Sequence, residues 1–214
     1  MAASMNSGSE GIDLAIKIAR KWGHNVKGIQ SDEAKILTVT GNYHGKTLGP
    51  LSGSSNKDIK EGEFEKLPSS HAECGKLITP HTAGFGPFLP NIGPSVAGFP
   101  VRFNSLEDIK TAFNRNGTQI AAVIIECVQG YGGCLPAEPG YLRGVRDLCK
   151  QHQILLIADE IQTGFGRTGA LMAYQHEDIK PDMVVLGKAL TGGLYPMSLI
   201  VGKRSVMTQI KPGE

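Results

Sequence analysis

The stretch LLIADEIQTGFGRTG, Leu155–Gly169, joins an apolar run to two adjacent carboxylates and a glycine-rich segment. Three kinds of site share this pattern: the acidic strand end of an ATPase, the glycine fingerprint of a dinucleotide-binding protein, and a carboxylate directed at an organic cofactor. The first two depend on the spacing of the glycines. The third depends on a reactive side chain elsewhere in the chain.

Further apolar runs predict that this stretch belongs to a mostly parallel α/β sheet. The predicted strands are AKILTVT from Ala34, IAAVIIECV from Ile120, ILLIAD from Ile154 and DMVVLG from Asp182. They lack the alternation of half-exposed strands, which indicates that both faces of the sheet are covered. Periodic apolar residues predict covering helices at Ser9–Trp22 and Pro139–His152. SLIVG from Ser198 is predicted to add an edge strand, and ligands should gather at the carboxyl ends of the parallel strands.

Bulk composition restricts the class of protein. The 214 residues are 40% hydrophobic, which suits one domain, and the net charge of +2 leaves no basic surface for nucleic acid. No apolar run reaches the roughly 18 residues of a membrane span. The composition of Gly53–Pro100 predicts an excursion outside the core. The four cysteines form no CxxC pair, so we expect neither a metal site nor disulfides; they are Cys74, Cys127, Cys134 and Cys149.

Glycine spacing argues against two of the three interpretations. Gly41 and Gly45 are separated by three residues, whereas a phosphate-binding loop needs four before its GK[ST]. The segment Gly164–Gly169 does spell GxGxxG. However, Asp159 and Glu160 stand at the strand end, where two carboxylates would repel a pyrophosphate.

The third interpretation is favoured by a lysine at the end of another strand. Lys188 closes DMVVLGK and precedes the small residues of ALTGG. An amine that forms a Schiff base, paired with an acid that keeps a pyridine nitrogen protonated, is the arrangement that pyridoxal phosphate (PLP) requires. Singly, Lys188 and Asp159 would be a solvated lysine and a helix cap; together they favour a PLP site.

Motifs along nearly the whole chain resemble the class III, or omega, aminotransferases of PLP fold type I. The matching motifs are MNSGSEGIDLAIKIARKWG, TGNYHGKTLG, FGPFLP, IIECVQGYGG, PGYLRGVRDLCKQHQILLIADEIQTGFGRTG and DMVVLGKALTGGLYP. The resemblance implies that residues 1–214 form part of the PLP-binding large domain, with a mostly parallel sheet flanked by helices and without the small domain. The likeness fades at about 53–82, which we interpret as a loop insertion. The family also implies a homodimer.

The resemblance also implies roles for individual residues. Lys188 matches the lysine that binds the cofactor covalently and moves the substrate proton, and Asp159 matches the partner of the pyridine nitrogen. Gln162 matches the contact to the ring hydroxyl. The remaining predicted cofactor residues are Ser7, Gly8 and Ser9 at the phosphate, Tyr43 stacked on the ring with His44 beside it, and Glu126 as a supporting carboxylate. Independently, Ser7–Ser9 lie at the start of a predicted helix, where anions bind favourably.

Two residues depart from the family pattern on the substrate side. Lys46 stands where the family has an arginine that grips a carboxylate, and Tyr131 stands where it usually has a glutamate. A lysine cannot reproduce the planar bidentate fork, and a phenol is neutral at pH 7. The resemblance implies amino transfer from an ω-amino donor to a 2-oxo acid. The departures leave open a different donor or a catalytically impaired relative, and a cytoplasmic or mitochondrial location stays undecided.

Overall fold

The computed structural model describes residues 1–56, 89–211 and 213–214. Most of the predicted insertion at 53–82 therefore lies outside the described residues. The helices are α1 Gly8–Asn25, α2 Leu48–Ser52, α3 Leu106–Asn116, α4 Tyr141–Gln151 and α5 Arg204–Met207, with 3₁₀ turns at Ala173–Glu177 and Lys188–Thr191. The strands are β1 Ala2–Met5, β2 Lys35–Leu37, β3 Ile92–Gly93, β4 Ile120–Glu126, β5 Val128–Gln129, β6 Leu135–Pro136, β7 Leu155–Asp159, β8 Met183–Leu186 and β9 Ser198–Gly202.

Seven of these strands form one sheet in the order β1-β9-β8-β7-β4-β2-β3. The five strands from β8 to β3 run parallel, whereas β9 and β1 are antiparallel to their neighbours. The predicted mostly parallel α/β sheet is thus confirmed. Strands β5 and β6 form a separate two-stranded hairpin.

Helices cover both faces of the sheet. Helix α1 packs Ile12 and Ile16 against Ile124 of β4 on one face. On the other face, Phe113 of α3 packs with Val123 of β4. The adjacent residues Val123 and Ile124 of β4 thus enter opposite cores. Because both faces are covered, the sequence shows no alternation of apolar and polar residues. Cys127 and Cys149 are buried free thiols, Cys134 is an exposed free thiol, and Cys74 lies outside the described residues.

Two predictions about strands were wrong. SLIVG forms β9, but it is not at the edge, because β1 pairs with it from Ala2↔Val201 to Met5↔Ser198. The excursion at Gly53–Pro100 was placed outside the core, yet Ile92 is 5% exposed and β3 pairs parallel to β2. β1 and β3 are short strands. Pairing with a neighbouring strand determines whether such a segment joins the sheet more than its local sequence pattern does.

Helix α3 was not predicted, although the sequence carries its start signal. Ser105 Oγ accepts a hydrogen bond from Asp108 N at 3.2 Å, which caps the first turn. Ile109, Ala112 and Phe113 form its buried face. No helix among the described residues has the length and apolar character needed to cross a bilayer.

A buried ionic cluster fixes the start of β8 to the rest of the domain. Asp182 accepts hydrogen bonds from Arg146 Nη1 at 2.5 Å, Lys203 Nζ at 2.6 Å and Leu156 N at 2.9 Å. Burial alone would raise the pKa of Asp182, but these donors outweigh it and lower the pKa. Asp182 therefore joins α4, β7 and the segment after β9 at one carboxylate.

Asp182→Ala is expected to destabilise the fold by about 3–5 kcal/mol, because the mostly buried Arg146 cation loses its counter-charge. The control is Asp147→Ala, which removes an exposed ion pair with Lys150 and should cost less than about 1 kcal/mol. Urea denaturation of both variants measures the difference. Equal losses would refute a structural role for the Asp182 cluster.

Candidate active site

Three ionisable side chains lie at or just after the carboxyl ends of three neighbouring parallel strands. β4 ends at Glu126 and β7 ends at Asp159, and these two residues are partners in the strand register. Asp159 is also the register partner of Val185 in β8, and Lys188 follows two residues after that strand ends. The topology therefore places a lysine and two acids at the carboxyl edge, where α/β proteins bind ligands.

A cleft of about 200 Å³ opens at this edge. All nine residues predicted to contact the cofactor line it: Ser7, Gly8, Ser9, Tyr43, His44, Glu126, Asp159, Gln162 and Lys188. Gly45, Val128 and Ile161 also line the cleft, and sequence reasoning missed them. The predicted residues thus converge from distant parts of the chain, while their individual roles stay predictions.

Asp159 is held by a buried histidine. His44 Nδ1 lies 2.7 Å from Asp159 Oδ2, and the two side chains are 1% and 4% exposed. The second carboxylate oxygen, Oδ1, accepts a hydrogen bond from Ile161 N at 3.1 Å. Both carboxylate oxygens are therefore oriented by protein groups.

The neighbours of His44 shift the pKa of its imidazole. Burial lowers the pKa of His44, but the hydrogen bond to Asp159 and the charges of Asp159 and Glu126 outweigh burial and raise it. The imidazole therefore keeps its proton to a higher pH than a free histidine does. Its Nε2 is buried and has no partner among the described residues, so it remains available to a ligand group or to water.

Glu126 adjoins the pair and behaves differently. Its Oε2 accepts a hydrogen bond from Tyr43 N at 3.1 Å. Burial raises the pKa of Glu126 to about 7; the Asp159 charge adds to this shift, whereas His44, the Tyr43 N–H and Lys188 oppose it. Glu126 is therefore poised to gain or lose a proton near neutral pH.

This shift predicts a pH dependence of stability. Because the folded pKa of about 7 exceeds the unfolded value of 4.5, the stabilisation is fully present below pH 4.5 and is lost as pH rises through 7. The contribution of Glu126 to the free energy of unfolding changes by on the order of 3 kcal/mol across this range. The raised pKa of His44 has the same sign. Glu126→Gln should therefore flatten, without abolishing, the fall in Tm between pH 5 and 8; an unchanged slope would contradict the assignment.

Lys188 meets Gln162 at the mouth of the cleft. Lys188 Nζ donates a hydrogen bond to Gln162 Oε1 at 2.8 Å, and the lysine is solvent-exposed. Its backbone adopts a left-handed φ of 41°, which costs a non-glycine residue about 1–2 kcal/mol. Such conformations concentrate at functional sites. The strained turn directs the chain from β8 into the 3₁₀ turn that begins with Lys188.

The amino end of α1 also lines the cleft. Ser7 Oγ caps the helix by accepting from Glu10 N at 3.3 Å. Among the described residues, the backbone N–H groups of Gly8 and Ser9 have no acceptor. Two free donors at the positive end of an 18-residue helix suit an anion such as a phosphate.

The loop that carries Tyr43 and His44 lies directly on this helix end. Lys46 N donates to Ser9 Oγ at 3.2 Å. Gly45 has a φ of 128°, and a Cβ there would lie 2.3 Å from Ser9 Oγ, so only glycine permits the approach.

The structure argues against both nucleotide interpretations. In the loop after β2, the N–H groups of Gly41, Tyr43 and Lys46 donate to Ser55, Glu126 and Ser9, so they do not curl around a phosphate. The segment Gly164–Gly169 lies in turns and opens no helix, so it lacks the donors that a dinucleotide fingerprint supplies.

The two predicted substrate residues do not line the cleft. Lys46 is exposed beside it and contributes its backbone N–H to Ser9. Tyr131 stacks on Tyr43 with ring centroids 5.5 Å apart and an interplanar angle of 25°. Tyr131 therefore contacts the cleft through a lining residue.

Comparison with known proteins gives consistent results. The model of the family "Aminotransferase class-III" matches residues 1–214. Ornithine aminotransferase of Emericella nidulans is 40% identical over 215 residues, covering 100% of this chain and 42% of that protein. The mitochondrial ornithine aminotransferase of Rattus norvegicus is 43% identical, covering 98% and 41%.

A solved structure agrees with these relatives. Ornithine aminotransferase of Toxoplasma gondii, described with partial occupancy of PLP at its active site, superposes with a TM-score of 0.80 at 34% identity. The match covers 99% of this chain and 43% of that one. The chain therefore spans less than half the length of the relatives it matches.

Proposed function

The chain belongs to the class-III aminotransferases, which are PLP-dependent enzymes, and from that membership we propose that its cleft binds PLP and supports amino-group transfer. The observation that carries the proposal is the convergence of Lys188 and Asp159 on one cleft from separate strands.

The chemistry of the cleft fits the cofactor. The free N–H groups of Gly8 and Ser9 suit its phosphate, and Asp159 offers a fixed negative charge to its pyridine nitrogen. Tyr43 gives an aromatic surface for the ring. The exposed amine of Lys188 is the nucleophile that the cofactor's aldehyde needs.

The residues of the chain would divide the work as follows. When bound, PLP supplies an electron sink for the electrons left when a proton leaves the donor carbon. Lys188, as a free amine, takes that proton and returns it, with Gln162 Oε1 as its hydrogen-bond acceptor. His44 orients the Asp159 carboxylate through the hydrogen bond to Oδ2, which would hold the carboxylate where the ring nitrogen needs it.

We propose the δ-amino group of ornithine as the donor and 2-oxoglutarate as the acceptor, giving glutamate 5-semialdehyde and glutamate. The names of the relatives from Emericella nidulans and Rattus norvegicus support this choice. Lys46 and Tyr131 favour a second candidate, in which acetylornithine or 4-aminobutyrate is the better donor, because both departures lie on the substrate side.

We also propose that the active assembly is a homodimer. After the Lys188 turn, Leu194 and Tyr195 are 93% and 64% exposed. Large apolar side chains exposed beside a candidate active site suit a covering partner. The molar mass in solution, measured by light scattering, tests this proposal.

Single-turnover measurements test the function. The purified chain, loaded with PLP, is mixed with ornithine, acetylornithine or 4-aminobutyrate, and the cofactor absorbance is followed. Fastest conversion with ornithine supports the proposal, and faster conversion with either other amine supports the second candidate. PLP binding without conversion by any of the three would indicate a catalytically impaired relative.

A further inference from the structure

We infer that Tyr131 is a positioning residue that fixes the ring of Tyr43 at the cleft and thereby sets the affinity and orientation of the bound cofactor. The inference rests on the proposed PLP function. Tyr131 does not line the cleft and acts through Tyr43, which does.

The backbone of Tyr43 is fixed, but its ring is not fixed by the same contact. Tyr43 N donates to Glu126 Oε2 at 3.1 Å, which holds the main chain. The ring is half-buried and stacks on the ring of Tyr131, with ring centroids 5.5 Å apart and an interplanar angle of 25°. Offset stacking of this kind restricts both side-chain torsions of Tyr43.

The turn that carries Tyr131 is itself anchored to the cleft. Gln129 Nε2 donates to Thr40 O at 2.8 Å, which ties the β5–β6 hairpin to the loop leading to Tyr43. A Cβ on Gly130 would lie 2.4 Å from Gln162 Nε2, so the hairpin backbone also runs against the partner of Lys188. Tyr131 thus projects from a support that contacts two sides of the site.

A third contact holds the phenol. Asn56 Nδ2 donates to Tyr131 Oη at 3.3 Å. Because Tyr131 is 56% exposed and is not part of a core cluster, its ring contributes little to the stability of the fold. Its removal should therefore act on the cleft more than on folding.

PLP titration of the purified chain tests the inference, with affinity and the visible circular dichroism of the bound cofactor as readouts. Tyr131→Ala is expected to weaken PLP binding by about 2- to 12-fold, the range of one aromatic pair, and to alter the circular dichroism band. Tyr131→Phe keeps the stack and should change affinity by less than about 2-fold, because the lost hydrogen bond is long and exposed. Tyr131→Leu, with similar apolar bulk, replaces alanine if that variant lowers the Tm.

A double-mutant cycle separates positioning from a general structural effect. In a Tyr43→Leu background, Tyr131→Ala should have no further effect on PLP affinity, because the ring through which it acts is gone. Additive losses, or an unchanged affinity and spectrum in Tyr131→Ala alone, overturn the inference while leaving PLP binding intact. Failure of the unaltered chain to bind PLP overturns the proposed function and this inference together.

Discussion

Lys188→Ala is expected to abolish the absorbance of covalently bound PLP and to lower amino transfer by at least about 10²–10⁴-fold, the contribution of a positioned acid–base group. The amine is both the nucleophile toward the cofactor and the proton carrier, so neither role survives its removal. Spectrophotometric titration and single-turnover kinetics measure the two losses.

Two control variants make this prediction specific. Lys188→Arg keeps a cation beside Gln162 but offers no reactive amine, so it should lose the absorbance as completely as alanine does. Lys180→Ala removes an exposed lysine elsewhere and should leave both signals unchanged. A Lys188→Arg chain that retained the covalent absorbance would assign the cofactor to a different amine.

Asp159→Asn is expected to lower the rate of amino transfer by roughly 10²–10³-fold, the usual cost of removing one preorganised electrostatic group. The side chain keeps its shape but loses the charge that would hold the ring nitrogen protonated. The same change removes the Asp159 charge, which together with Glu126 raises the pKa of His44, so that pKa should fall in the variant.

Rapid-mixing kinetics give the rate, and the imidazole signal of His44 followed by NMR gives the pKa. Asp147→Asn, an exposed aspartate, serves as the matched control and should change neither. A normal rate in Asp159→Asn would remove Asp159 from the chemistry even if PLP still bound.

The central sheet was predictable because most of its strands are continuous apolar runs in the sequence. The runs from Ile120 and Ile154 contain no polar alternation, which requires two covered faces and hence helices on both sides. Strand β3 was not predictable, because two residues within a glycine- and proline-rich region carry no periodic signal. β3 joins the sheet by pairing with the free edge of β2, and that edge exists only once the sheet has folded.

The convergence of Lys188 and Asp159 was foreseeable for the same reason: both follow parallel strands, whose carboxyl ends share one edge. The contact between His44 and Asp159 was not, because 115 residues separate them and a loop conformation brings them together. The stack of Tyr131 on Tyr43 likewise depends on how the β5–β6 hairpin meets the loop after β2.

Chemical trapping tests the central claim most directly. The purified chain is incubated with PLP, reduced with borohydride, digested and analysed by peptide mass spectrometry. We expect the pyridoxyl label on the peptide that contains Lys188, with labelling lost in Lys188→Arg. Labelling of another lysine, or of several lysines to an equal extent, would contradict a cofactor site between Lys188 and Asp159.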